Sequence, residues 1–107
     1  MPTALVVRAI VANPAKRQAF DEWHKTEMFP TAIKAFGTKQ ARRSWSLTNP
    51  AVHISVYRFD DEAALKIAVD NVVPGLREKA DRDWPDVSRT LEQVSVVEEY
   101  EAVPVAA

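Results

Sequence analysis

The stretch "AVHISVYRF" (51–59) changes side-chain character at every step: Val52, Ile54 and Val56 fall on one face of an extended chain, His53, Ser55 and Tyr57 on the other. A helix cannot hold that period of two, so the segment must be a strand and must find a neighbour. Asn49-Pro50 marks a turn just before it, and "TKQARRSWSL" (38–47) is strand-like in its second half; together they read as a hairpin. "TALVVRAIVA" (3–12) is a third strand, rich in Val and Ile and stopped by Asn13-Pro14. The β-branched segment 87–103, "VSRTLEQVSVVEEYEAV", is a fourth.

Two helical regions separate them. Asn13 is a good N-cap and Pro14 suits a first helical position, so a helix should run from there to about Phe36, with Gly37 as its stop. Phe20, Trp23 and Glu27 fall three or four apart and share a face, which Met28 adjoins. Pro30 is expected to kink or break the helix near Met28 or Phe29. Asp60 or Asp61 caps the second helical region, which Pro74-Gly75 interrupts and which ends near Trp84-Pro85. The order β-α-β-β-α-β predicts an α+β, ferredoxin-like single domain over residues 1–107, a four-stranded antiparallel sheet with both helices on one face.

That arrangement leaves one sheet face without helices. Yet the strands carry apolar groups on both sides: Val6 and Ile10 opposite Leu5, Val7 and Val11; Tyr57 and Phe59 opposite Ile54 and Val56. A second copy is the simplest cover, which predicts a homodimer through the sheet face. In this reading Val52, Ile54 and Val56 meet the helices, and the polar line of His53, Ser55 and Tyr57 belongs to a cavity or to the subunit interface, of which the interface is preferred.

Composition removes several classes of function. With 14 basic and 15 acidic residues interspersed, the chain has no basic stripe for nucleic acid and no polybasic patch for a membrane surface. No apolar run approaches the length of about 20 residues that spans a bilayer. Arg8 interrupts the N-terminal apolar run, which reads as a strand and not as a signal peptide, so a cytoplasmic protein is expected. The absence of cysteine excludes disulfides and thiolate metal sites, and two histidines far apart in sequence make a zinc site improbable. Gly37 and Gly75 are the sole glycines, so no phosphate loop exists; no metal and no cofactor are expected.

His24 stands three residues before Glu27, close enough on a helix for contact. A carboxylate there would raise the imidazole pKa and fix its tautomer, as a general base requires. The bland alternative is a half-exposed or satisfied core histidine. Phe20, Trp23 and Phe36 should pack on the sheet, and a pocket they line would suit a flat apolar ligand. Arg42 and Arg43 point to opposite faces; one of them could meet Glu27 or an anionic ligand, though solvated sheet-edge charges or an inter-subunit ion pair is the preferred reading, and Trp45 shares the face of Arg43. Trp84 either caps the second helix against the sheet or covers a pocket mouth. The tail "VPVAA" (103–107), which has no polar anchor, is expected either over the partner subunit or disordered.

Topology, length and these motifs resemble the dimeric α/β-barrel superfamily, which includes EthD-like (ethyl tert-butyl ether degradation), antibiotic biosynthesis monooxygenase-like and muconolactone isomerase-like proteins. The pattern is most like that of EthD-like small proteins, whose first helix carries Phe, Trp, then Glu-His-x-Pro. Phe20, Trp23, Glu27 and Pro30 stand at those positions, and "ARRSW" (41–45) looks like the arginine–aromatic strand that follows. Where the pattern has histidine this chain has Met28, which can move no proton. The resemblance implies a pocket between first helix and sheet, with His24 replacing the missing histidine, Glu27 orienting it, and Trp23, Met28, Arg43 and Trp45 against a substrate. It implies a cofactor-independent enzyme of oxygenase, cyclase or isomerase type acting on an aromatic or polyketide-like compound. The alternative is a non-catalytic accessory or metabolite-binding dimer.

Overall fold

The computed structural model describes residues 1–102. Four strands, β1 (Thr3–Ile10), β2 (Ala41–Trp45), β3 (Val52–Phe59) and β4 (Ser88–Ser95), form one sheet in the order β2-β3-β1-β4, with every neighbouring pair antiparallel. The helices are α1 (Arg17–Trp23), α2 (Phe29–Phe36), α3 (Glu62–Asn71) and α4 (Val73–Asp83). β4 is shorter than expected from the sequence and ends at Ser95; residues 103–107, with the proposed tail contact, lie outside the described residues.

The first helical rod starts as its residues require. The Asn13 carboxamide accepts the Ala15 N–H at 3.0 Å, and a short 3₁₀ turn, Pro14–Lys16, leads into α1. At the far end Gly37 takes the left-handed conformation, φ +65°, that lets the chain leave the helix. Pro30 does not break the rod. Its ring would collide with the carbonyl four residues back in a straight α-helix, and the turn just upstream, His24–Met28, is π-helical, with Phe29 N–H bonding the His24 carbonyl five residues earlier.

That wide turn has a consequence for packing. Phe20, His24, Met28 and Ala32 are the buried residues of the rod and recur every fourth position. On an ideal α-helix each fourth residue advances about 40° past a full turn, so the stripe would wind off the sheet. One extra residue in the turn takes most of that drift back and keeps the four side chains inward.

Asp61, not Asp60, caps α3, accepting the Ala64 N–H at 2.8 Å. Val72 separates α3 from α4, and Pro74 sits in the first turn of α4, where its missing N–H costs nothing.

The assignment of faces in β3 is the reverse of the expectation. His53, Ser55, Tyr57 and Phe59 are buried beneath the helices, whereas Val52, Ile54 and Val56 are half-buried on the open face. In register, Trp45 pairs with His53, Arg43 with Ser55 and Ala41 with Tyr57, so all of these face the helices. Alternation separates two faces but does not say which is inside; the bulk of Tyr57 and Phe59, packed with Leu5, Leu65 and Val73, decides it.

The open face carries Val6, Ile10, Val52, Ile54 and Val56 on the central strands, with Ile10 43% exposed, and among them Arg8, which lies opposite Ile54 and pairs with Glu92 at 3.6 Å. Its borders are polar: Arg42 and Ser44 from β2; Ser88, Thr90 and Glu92 from β4. After β4 the chain bonds Val96 N–H to the Pro2 carbonyl and brings Glu99 into an ion pair with Arg58, an open-face residue.

A second core centres on Phe20, 1% exposed, with Ala9, Val11 and Val87 and the indoles of Trp23, Trp45 and Trp84 around it. Phe20→Ala is expected to cost about 3–5 kcal/mol, read as a lower urea midpoint at unchanged m-value; a loss below about 1 kcal/mol would mean that this ring does not organise the cluster.

Candidate active site

A cavity of about 320 Å³ lies between the inward stripe of the first rod, the sheet and α4. Phe20, Trp23, His24, Met28 and Ala32 form one wall, and Leu5, Val7, Ala9, His53, Ser55 and Tyr57 form the floor. Val73, Leu76 and Ala80 of α4 cover it, and Arg77, Asp81 and Arg89 stand among its lining on the α4–β4 side. Its volume is in the range of small-molecule sites, and its wall is mostly apolar with a few polar groups.

Those polar groups form a graded set. Asp21 accepts from Arg43 Nη1 at 2.8 Å and from Trp45 Nε1 at 2.8 Å, and these two bonds hold its carboxyl below the usual range. The same Arg43 Nη1 stands 3.4 Å from His53 Nε2. Guanidinium only donates, so Nε2 is the acceptor and the His53 proton belongs on Nδ1. His53 in turn lies against His24, ring centroids 4.3 Å apart. His24 Nδ1 is buried and has no hydrogen-bond partner in the protein.

Both imidazoles are held neutral. Burial lowers His24 to about 3, with the neighbouring His53 and Arg43 adding to the effect and Asp21 opposing it. His53 is lowered to about 4, again chiefly by burial and then by Arg43, against Asp21. Burial also pushes the Tyr57 phenol up, partly offset by the Ser55 hydroxyl.

Of the residues named from the sequence, His24, Trp23 and Met28 line the cavity. Arg43 and Trp45 stand behind its wall, gripping Asp21. Arg43 is the inward member of the arginine pair; Arg42 is exposed on the open face. Glu27 is exposed and outside the cavity lining, and it takes no part in the electrostatics of His24. The expected His24–Glu27 pair is therefore corrected, and so is the raised imidazole pKa that it implied. The wide turn explains this: three residues cover less of a circle there than in an α-helix, so Glu27 swings away from the inward stripe. Trp84 ends α4 and packs on Phe20 and Trp23 at 5.4 and 6.1 Å, outside the cavity lining.

Asp21, His53, Arg77, Asp81 and Arg89 were not read as site residues. The phase of β3 would have revealed His53 had its faces been assigned the other way. Asp21 follows Phe20 directly and shows no spacing signal. Arg89 bonds Asp81 at 2.7 Å and the carbonyls of Ala80 and Trp84, contacts that only the folded chain brings together. Among the described residues no group of three or more His, Asp or Glu side chains could hold a metal ion, and Arg43 beside His53 would repel one.

No protein-family model and no curated protein matches the sequence. Solved structures do. An EthD family protein from Bacillus halodurans matches with a TM-score of 0.72 at 18% identity, over 91% of this chain and 100% of its own. A dimeric ferredoxin-like protein from an uncultured marine organism matches with a TM-score of 0.67 at 17% identity, over 92% and 98%. The fold is ferredoxin-like. SnoaB, a cofactor-independent oxygenase from Streptomyces nogalater, has the same ferredoxin-like backbone, with a TM-score of 0.60 at 13% identity over 92% of this chain and 95% of its own. At such identities the likeness is one of fold, and it covers nearly the whole chain.

The imidazoles set a pH dependence. Unfolded histidine titrates near 6.5 and the folded pair near 3 and 4, so between these values the unfolded chain binds more protons. Stability is expected to be full above about pH 6.5 and to fall as the pH drops toward 4. Urea midpoints across that range should show the loss, and His24→Met should flatten it; an unchanged slope in the variant would contradict the buried neutral pair.

Proposed function

We propose that this chain is a small-molecule-binding protein that takes a flat, mainly apolar compound of aromatic or polyketide-like type into the cavity beneath α4, as one half of a homodimer. The observation that carries the reading is the cavity wall itself. It is apolar along most of its length and presents His24, whose buried Nδ1 lacks a partner. A bound hydroxyl or carbonyl oxygen within reach of the imidazole would remove that deficit. Trp23 and Phe20 supply flat apolar surface beside it.

Binding is favoured over proton transfer. An imidazole held near 3 is a weak base at neutral pH but a good neutral hydrogen-bond partner. A catalytic reading keeps one specific support: a bound molecule that becomes anionic beside His24 would raise its basicity, so that His24 could take the proton. In that reading Arg43, acting through His53, orients the pair in place of Glu27. The oxygenase activity of SnoaB belongs to a protein of similar fold and adds no residue to this argument.

The dimer rests on the apolar side chains of the open sheet face, Val6, Ile10, Val52, Ile54 and Val56, among which Arg8 already has its countercharge in Glu92. The protein from the uncultured marine organism, of similar fold, is itself dimeric. Sedimentation at micromolar concentration is expected to give a dimer, and Val56→Asp a monomer; a wild-type monomer would end this part of the proposal.

For the cavity, 2-naphthol is expected to bind in calorimetry with a dissociation constant on the order of 0.1 mM. His24→Leu should weaken it roughly threefold to tenfold, the worth of one hydrogen bond. No binding by the wild type would overturn the cavity reading. If a substrate is turned over and His24→Ala leaves the rate untouched, the catalytic reading falls while binding stands.

A further inference from the structure

The cavity lining carries charge that the protein does not balance internally. Arg43 is matched by Asp21, and Arg89 by Asp81 together with two backbone carbonyls. Arg77, like Arg89 and unlike Arg43, lines the cavity, yet it forms no ion pair among the described residues. The acids that share its helix are otherwise engaged or off the cavity. Asp81, one turn on, is bound to Arg89 at 2.7 Å. Asp83 accepts from Trp23 Nε1 at 3.0 Å and from Lys79 at 3.2 Å. Glu78 is exposed and does not line the cavity. With both imidazoles neutral, the charged lining is Arg77, Arg89 and Asp81, which leaves one positive charge over.

We propose that the cavity selects an organic carboxylate, its apolar body against Trp23 and Phe20 and its carboxylate on the guanidinium of Arg77. This deepens the small-molecule reading above and rests on it. Guanidinium binds carboxylate through two parallel hydrogen bonds. Arg77 is exposed on α4 while lining the cavity, so it stands at the solvent side of the hollow. A carboxylate held there keeps part of its hydration, whereas one placed against the buried imidazoles would lose nearly all of it. The charged end therefore stays at the rim and the apolar end goes inward to His24.

The test compares 2-naphthoate with methyl 2-naphthoate, the same ring system with and without the charge, by calorimetry at pH 7.5 in low salt. The wild type is expected to prefer 2-naphthoate by roughly twofold to fivefold, the upper part of the range for a partly exposed ion pair. Arg77→Gln should abolish the preference while leaving the methyl ester's affinity as it was, and Arg77→Lys should retain part of it. Near-UV circular dichroism of the variants, unchanged from wild type, confirms intact packing. Added salt should shrink the preference in the wild type and in Arg77→Lys, and have no effect in Arg77→Gln. Equal affinity for the two compounds in the wild type overturns the inference and leaves the cavity reading standing. A preference that survives Arg77→Gln also overturns it, placing the carboxylate on another group. Binding of neither compound overturns both readings.

Discussion

Two imidazoles with ring centroids 4.3 Å apart in an apolar layer are both favoured in the neutral form, since burial opposes a charge on either and a second charge would repel the first. Much of the surrounding structure is arranged to keep them so. Phe20 covers both rings, edge-on to His53 and stacked on His24. Trp45 closes over His53 from β2. Arg43, the nearest cation, is turned toward Asp21, which moderates its field and ties α1 to β2 in the same contact. A charge on either ring would have to be met inside this layer, where little polar capacity is left.

The path of the chain was legible from local chemistry. Asn13-Pro14, Asp61, Gly37 and Pro74 mark element ends because each side chain satisfies or forbids a particular backbone geometry. The alternation of 51–59 marks a strand because no other conformation spaces side chains that way. What alternation could not supply was the sign of the faces. Val52, Ile54 and Val56 look like core when judged by hydropathy alone. The helices instead require the larger volume of Tyr57 and Phe59, and the β-branched face becomes the outer one.

The site was legible only in part, for a related reason. His24, Trp23 and Met28 were found from helical spacing, since the inward stripe of a helix is periodic. The pairing of His24 with Glu27 assumed a regular turn and failed where the turn widens. Asp21 and Arg89 act through partners 22 and 8 positions away, and Arg77 has no ion-pair partner among the described residues; such placements follow from tertiary structure. The match to solved structures concerns the path of the backbone; the graded series of Asp21, Arg43, His53 and His24 is a property of this chain's own side chains.

The widened turn at His24–Met28 also divides labour along the first rod. Upstream, α1 delivers Phe20 and Asp21, which organise the polar series. Downstream, α2 delivers Ala32 and Phe36 toward the other end of the hollow. The turn works as a vernier between them. Its extra residue offsets α2 from α1 by a fraction of a turn, and that offset fixes where Ala32 and Phe36 meet the hollow relative to Phe20 and the Asp21–Arg43 ion pair.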